Sequence, residues 1–280
     1  MPELPEVESV RRLMRRVMQG KRIARAEVAP DEIVLSGVAP EAVQAAVEGR
    51  TVTDVGRKGK FWWIELDERP WLFGHLGMSG WVRQLGTESM RLHSHGDAPL
   101  DDAEGRPRFL KLLLETEDGG RIAFTDGRRL GRLWLGPSPE EDPQVRRLGF
   151  DAHEELPAPE DLHPRLIRRK SPIKAVLLDQ ALFAGVGNYL ADEALYHARL
   201  APKRLASSLT PEETGQLHRA LRQVLDHAVG VDADYQQFPD TWLFHHRWGG
   251  NRGATHLEGR EIVRETVGGR TTAWVPEVQR

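Results

Sequence analysis

The sequence predicts an α+β protein in two parts: a helix and a run of short antiparallel strands, then a helical segment closed by a β-hairpin. Three observations carry this. Apolar residues recur at helical spacing at the start and in the second half, short strand-like runs punctuated by Gly, Asp and Pro fill the interval, and prolines and acids thicken between Gly136 and Pro164. A length of 280 residues points to two domains or one large one.

Hydrophobic residues make up 39% and charged residues 29%, with 27 Gly and 18 Pro spread along the chain. That suits buried cores and excludes collagen, coiled-coil arrays and low-complexity tracts. The absence of Cys removes disulfides, thiolate nucleophiles and every Cys-based metal site. No run of about 18 apolar residues is present, and the N-terminus opens with acids and prolines instead of a basic and then apolar leader. No membrane span and no secretion signal are expected. The net charge of -3 gives no global sign of nucleic acid, but averages hide clusters.

Residues 5–20 read as a helix: Pro5 suits the first position, Glu6 and Glu8 the positive end, and Gly20 the stop. Val10, Leu13, Met14 and Val17 share its buried face, with Arg11, Arg12, Arg15 and Arg16 outside. A short helix follows Pro40 and ends before Gly49. Strands are expected at 22–28, 51–55, 61–66, 71–76, 81–85, 109–116, 121–124 and 133–135, forming an antiparallel sandwich or barrel. The polar stretch 86–106 reads as a mobile loop. Helices are expected at 161–169, 173–180, 188–197 and 211–229, and a hairpin of 260–265 with 271–274 around Gly268 and Gly269.

Chemistry concentrates at the first eight residues, MPELPEVE. Removal of Met1 exposes Pro2 as a secondary amine. Such an amine attacking a sugar C1′ gives a cationic iminium, an electron sink that favours elimination of the neighbouring phosphate. Glu3 and Glu6 are the carboxyls within reach for proton transfer. The bland reading is a proline and two acids that start a helix. In RKGKFWW (57–63), Lys60 stands on a strand after a Gly59 turn, suited to holding a phosphate or to an ordinary solvated hairpin. HLGMSG (75–80) and TDGRRLG (125–131) put Met78, Arg128 and Leu130 at turn tips. An apolar wedge with a guanidinium is what a base-flipping protein inserts into a vacated stack; hairpin packing is the alternative. GVGN before a helix opening near Asn188 makes a phosphate site or a plain helix-to-helix turn. Arg168, Arg169, Lys170 and Lys174 give that turn a basic flank, and Arg270 sits at a hairpin tip. Neither His245 with His246 nor His93 with His95 has helical metal-ligand spacing. Most of the eight Trp lie on strands and read as core.

Together MPELPEVE, HLGMSG, the D-x-R-R turn, LLDQ with GVGN, LASSL (205–209) and the terminal Q-R resemble the formamidopyrimidine-DNA glycosylase and endonuclease VIII family, over essentially the whole chain. The resemblance implies an N-terminal helix with a two-layer antiparallel β-sandwich (1–136) and a linker (137–160). A helix-two-turn-helix DNA-binding domain (161–248) and a β-hairpin finger (249–280) follow. It implies a bifunctional glycosylase and AP lyase of base excision repair that removes oxidised bases and cuts the strand by β,δ-elimination. Pro2 would be the Schiff-base nucleophile, Glu3 the general acid and Glu6 a supporting carboxylate. Lys60, Asn188, Arg270 and Lys170 would contact DNA, and Met78, Arg128 and Leu130 would fill the void left by the lesion.

Two departures from the family pattern matter. The finger's usual zinc-ligand positions fall on Thr255, Glu258, Val275 and Val278, so the resemblance is to the zincless branch of plants and fungi; no metal and no cofactor is expected. Trp274 and Val275 are then the expected apolar supports of the hairpin. The stretch 230–248 is shorter than the loop that bacterial relatives close over 8-oxoguanine, which favours formamidopyrimidines and hydantoins as substrates. Leu130 stands where the family usually carries Phe, weakening the wedge's stacking. The expected partner is duplex DNA with an oxidised base or abasic site, bound by a monomer without a membrane, in the cytoplasm or nucleoid of a bacterium or in a nucleus. A non-catalytic damaged-DNA-binding protein and a metal-dependent nuclease are the competing classes.

Overall fold

The computed structural model describes residues 2–87, 101–103, 105–248 and 255–280. Most of the polar stretch 86–106, with His93 and His95, lies outside these residues. Two compact units result, residues 1–147 with 232–235 and residues 148–231 with 236–280.

The first unit begins with α1 (Leu4–Met18), whose Leu4, Val7, Val10, Met14 and Val17 line one buried face, as the helical spacing dictates. The elements that follow are β1 (Ile23–Val28), α2 (Pro40–Val47), β2 (Val52–Lys58), β3 (Phe61–Leu66), β4 (Trp71–His75), β5 (Trp81–Gln84), β6 (Leu110–Thr116), β7 (Arg121–Thr125) and β8 (Arg132–Gly136). The strands make two antiparallel four-stranded sheets, ordered β1-β6-β7-β5 and β2-β3-β4-β8. Strand alternation turns Trp62, Ile64 and Leu66 of β3 inward, and one apolar cluster joins them to α1 and to Leu112, Leu114, Ile122 and Phe124 of the other sheet. The unit is therefore an open two-layer sandwich and not a barrel. Trp62 meets Phe124 edge to face across the layers, ring centroids 6.4 Å apart.

The second unit contains β9 (Phe150–Asp151), α3 (Pro159–Leu166), α4 (Ile173–Leu177), β10 (Phe183–Ala184), α5 (Asn188–His197) and α6 (Pro211–Gly230). It ends with β11 (His256–Leu257), β12 (Arg260–Glu261), β13 (Val263–Val267) and β14 (Arg270–Trp274). Helix α6 opens on a reciprocal capping box: Glu213 N–H donates to Thr210 Oγ1 at 3.2 Å and Thr210 N–H to Glu213 Oε2 at 2.9 Å. Three expectations change, the first being that α3 ends at Leu166 instead of residue 169. Helix α4 stops at Leu177 instead of Gln180, because the Asp179 and Gln180 side chains take up nearby backbone groups and turn the chain. Residues 260–261 pair with 256–257 and not with the last strand, which is matched by residues 263–267. No helix among the described residues is long and apolar enough to cross a membrane.

Candidate active site

In the first unit the candidate chemistry starts at the beginning of α1. A helix leaves its first N–H groups without intrahelical partners, and here two acids supply them. The Glu3 side chain accepts from the Glu6 N–H, and Glu6 Oε2 accepts from the Glu3 N–H at 2.9 Å. Pro2, Glu3 and Glu6 are all buried. Burial, reinforced by the Glu3 charge, pushes the Glu6 carboxyl up to about 7, so it exchanges its proton near neutrality. One turn on, burial opposes the charge of Glu8, yet hydrogen bonds from Arg11 and Arg57 prevail and hold it down at about 2. Arg57 donates to Glu8 Oε2 at 3.0 Å and to the Gly59 carbonyl at 3.2 Å. The start of α1 is thereby tied to the turn that carries Lys60. Lys60 lies in the two-residue turn between β2 and β3 and not on a strand, because pairing closes at Lys58 with Phe61.

His75, which the sequence did not single out, ends β4 beside that turn, its ring stacked on Phe61 with centroids 5.6 Å apart. Burial, with Arg132 nearby, pushes it down to about 4, so the imidazole is neutral. Its Nδ1 accepts from the Gly77 N–H at 3.0 Å, leaving Nε2 as the donor nitrogen. The HLGMSG and TDGRRLG turns meet. Gly77 has φ 59°, and a Cβ there would lie 2.3 Å from the Leu130 carbonyl oxygen, so only glycine fits. Met78 and Leu130 remain 42% and 36% exposed, and Arg128 is exposed beside them.

In the second unit, Gln180 of LLDQ knits the glycine turn. Its Nε2 donates to the Leu178 and Val186 carbonyls at 2.9 and 2.8 Å, and its Oε1 accepts from the Gly185 N–H at 3.1 Å. Asn188 is the first residue of α5, and its Nδ2 donates to the Thr271 carbonyl at 2.9 Å, next to Arg270 at the start of β14. The two candidate phosphate ligands are thus brought together. Arg168, Arg169 and Lys170 are exposed. Lys174 is not part of that basic flank: it is fully buried, 2.6 Å from Asp192 Oδ1, and donates to Thr272 Oγ1 at 2.7 Å. Asp192 Oδ2 also accepts from Arg247 at 2.7 Å and from the Ala273 N–H at 3.2 Å. A buried cation needs such a partner, and this one docks the last hairpin on α5.

Two family models match, the formamidopyrimidine-DNA glycosylase N-terminal domain over residues 1–133 and the H2TH domain of the same enzyme over residues 148–240. An Arabidopsis thaliana formamidopyrimidine-DNA glycosylase is 39% identical over the whole chain, which covers 71% of that protein. One from Pelotomaculum thermopropionicum is 33% identical, with 100% of this chain and 99% of the relative covered. The chain belongs to the formamidopyrimidine-DNA glycosylase family. The fold agrees. The Lactococcus lactis formamidopyrimidine-DNA glycosylase, non-covalently bound to DNA containing an AP site, superposes with a TM-score of 0.80 at 24% identity, with 99% of each chain covered.

Within this family the zinc positions of the finger do not fit a metal here. Val275 is buried with Leu243, Leu257, Ile262 and Ala273, with Val278 packed against them, and Glu258 pairs with Arg260 at 3.2 Å. Among the described residues no group of three metal-ligating side chains converges. Val275 supports the hairpin as expected. Trp274 does not join the cluster, because the neighbouring Ala273 occupies the inward face.

Glu6 gives a testable pH dependence. Between the ordinary 4.5 and about 7 the folded chain keeps a proton that the unfolded chain has released. Stability therefore falls as pH rises through that window, by about 3 kcal/mol. Glu6→Gln, always neutral, is expected to lack this fall in urea denaturation series; parallel curves for the two proteins would show that Glu6 ionises normally. Lys174→Ala leaves Asp192 short of a buried cation and is expected to cost about 3–5 kcal/mol. The loss should appear as faster amide hydrogen exchange in residues 263–274, and undiminished protection there would refute the docking role.

Proposed function

We propose that Pro2, freed by removal of Met1, is the nucleophile of a bifunctional DNA glycosylase and AP lyase. As a family member the chain is a DNA glycosylase of base excision repair. The observation that carries the residue assignment is the buried capping box, which sets two carboxyls, one titrating near 7, beside the Pro2 backbone. The Pro2 nitrogen attacks C1′ of the damaged nucleotide, the bond from C1′ to the base breaks, and the base leaves with its electron pair and takes up a proton. Glu3 protonates the ring oxygen as the sugar opens to the iminium. Loss of a C2′ proton then expels the 3′ phosphate, and a second elimination expels the 5′ phosphate. Glu6 accepts from the Glu3 N–H and so holds Glu3 in place, its own carboxyl keeping a proton up to about pH 7.

Lys60 and the His75 Nε2–H on one unit, and Asn188, Arg270 and Lys170 on the other, hold backbone phosphates. Met78, Arg128 and Leu130 fill the vacated stack. Because 230–248 is short, formamidopyrimidines and hydantoins are the preferred lesions over 8-oxoguanine. The protein acts wherever its cell keeps duplex DNA.

With Met1 attached, the Pro2 nitrogen is an amide without a nucleophilic lone pair. Naturally processed protein is therefore expected to begin at Pro2 by mass spectrometry and to give a borohydride-trapped adduct on abasic DNA, with or without chelator. Protein acetylated at Pro2 should give none; an adduct from acetylated protein would overturn the assignment. Binding to an abasic analogue with no adduct from the free amine would establish a non-catalytic binder instead. Arg270→Ala should lower the log–log salt slope of binding by about one, and an unchanged slope would remove Arg270 from the phosphate contacts.

A further inference from the structure

We propose that Asp126 is a positioning residue for base extrusion: its buried carboxylate locks the 76–80 and 127–131 turns into one rigid block that presents Met78, Arg128 and Leu130 together. This rests on the reading of those three side chains as the void-filling wedge.

Asp126 is fully buried. Its Oδ1 accepts from Ser79 Oγ at 2.6 Å and from the Arg128 N–H at 3.1 Å, and its Oδ2 accepts from the Gly131 N–H at 2.6 Å. One carboxylate thus holds the residue after Met78, the Arg128 backbone and the residue after Leu130. The hydrogen-bond donors are a hydroxyl and two backbone N–H groups. An anion buried against neutral donors costs free energy relative to an apolar core and is retained here for the geometry it imposes. Closing the block, Gly80 N–H donates to the Leu76 carbonyl at 2.8 Å and Gly77 N–H to His75 Nδ1 at 3.0 Å.

A second acid braces the far side. Arg129, between two wedge residues, has φ 57°, a backbone state that ordinary side chains avoid. Its Nε and Nη2 each donate to the buried Asp31 carboxylate at 2.9 Å, and Lys111 reaches Asp31 at 2.8 Å. With Arg129 held in this state, its side chain is turned to the protein while its two neighbours stay outward. Turn tips do not need this rigidity to keep a sandwich folded. A wedge does, since apolar and guanidinium groups ordered only on contact would lose binding free energy to their own immobilisation.

Asp126→Asn keeps the volume but aims an N–H₂ at one of the donors. Single-turnover excision from a lesion-bearing duplex is expected to fall about ten- to a hundredfold. Cleavage of an abasic site in single-stranded DNA, which has no stack to refill, should fall by a much smaller factor. Fluorescence of 2-aminopurine beside the lesion should report slowed extrusion. Ser79→Ala, which removes one hydrogen bond, should reproduce the same selective loss at several-fold, and it carries the test if the Asn variant does not fold. Met78→Ala is the reference. Impaired excision in Met78→Ala with Asp126→Asn or Ser79→Ala near parental would overturn the Asp126 role. Equal losses on duplex and single strand would also overturn it, by making Asp126 a general fold residue. No excision defect in Met78→Ala or Arg128→Ala would sink the wedge reading itself, and this proposal with it.

Discussion

A helix that begins at the fourth residue of a chain must satisfy its first N–H groups with whatever lies at hand, and in this protein the partners are the two acids proposed for its chemistry. The reciprocal bonds between Glu3 and Glu6 start α1 and hold both carboxyls in a buried site, where desolvation and the Glu3 charge raise the Glu6 pKa to about 7 against the lowering effect of the Glu3 N–H bond. Initiating the helix and setting proton affinity are therefore one event, and neither acid can be altered without disturbing both. The next charged residue extends the arrangement. Glu8, shared among Arg11, Arg12 and Arg57, fixes the helix to the turn holding Lys60, so the proposed nucleophile and a proposed phosphate ligand share a rigid frame.

The last hairpin is held by an apolar cluster on one side and a buried carboxylate on the other. The family resemblance would put metal ligands at residues 255, 258, 275 and 278. Here Val275 and Val278 pack with Leu257, Ile262 and Leu243, while Thr255 and Glu258 are exposed. The opposite contact is ionic, with Asp192 taking Lys174, Arg247 and the Ala273 N–H. The buried pair would be a poor source of net stability by itself, but it is directional. It fixes β14 at the point where Asn188 bonds the Thr271 carbonyl, which sets Arg270 beside the start of α5. Apolar burial supplies the binding and the carboxylate supplies the register.

The sequence disclosed what rests on local periodicity. Strand β3 and helix α5 fall where alternation and helical spacing put them, and α1 and α6 lie within two residues of their expected ends. It disclosed less where a side chain's partner is distant in the chain. Lys174 stands in a run with Arg168, Arg169 and Lys170 and looks like one of a solvated set, yet its partner Asp192 is supplied by another helix. Asp126 sits inside a motif that drew attention to its arginines, and only the fold brings Ser79 to it. The pairing of β9 with β10 is two residues long and parallel, too short to leave a periodic trace.

The same bookkeeping of partners explains how a chain of net charge -3 can present a surface suited to a polyanion. Among the described residues, nine acids are buried: Glu3, Glu6, Glu8, Asp31, Asp126, Asp142, Asp151, Asp192 and Glu193. Only three bases are, Arg57, Lys174 and Arg247. Among the described residues the surplus of buried acids exceeds their net negative charge, so the charges left outside lean positive. Those acids are spent beneath the surface, where Glu8 orders the Lys60 turn, Asp126 the Arg128 turn and Asp192 the Arg270 hairpin. The backbone segments that carry Lys60, Arg128 and Arg270 thus each rest on a buried carboxylate. Whole-chain charge averages the two layers together, and it is the outer one that DNA meets.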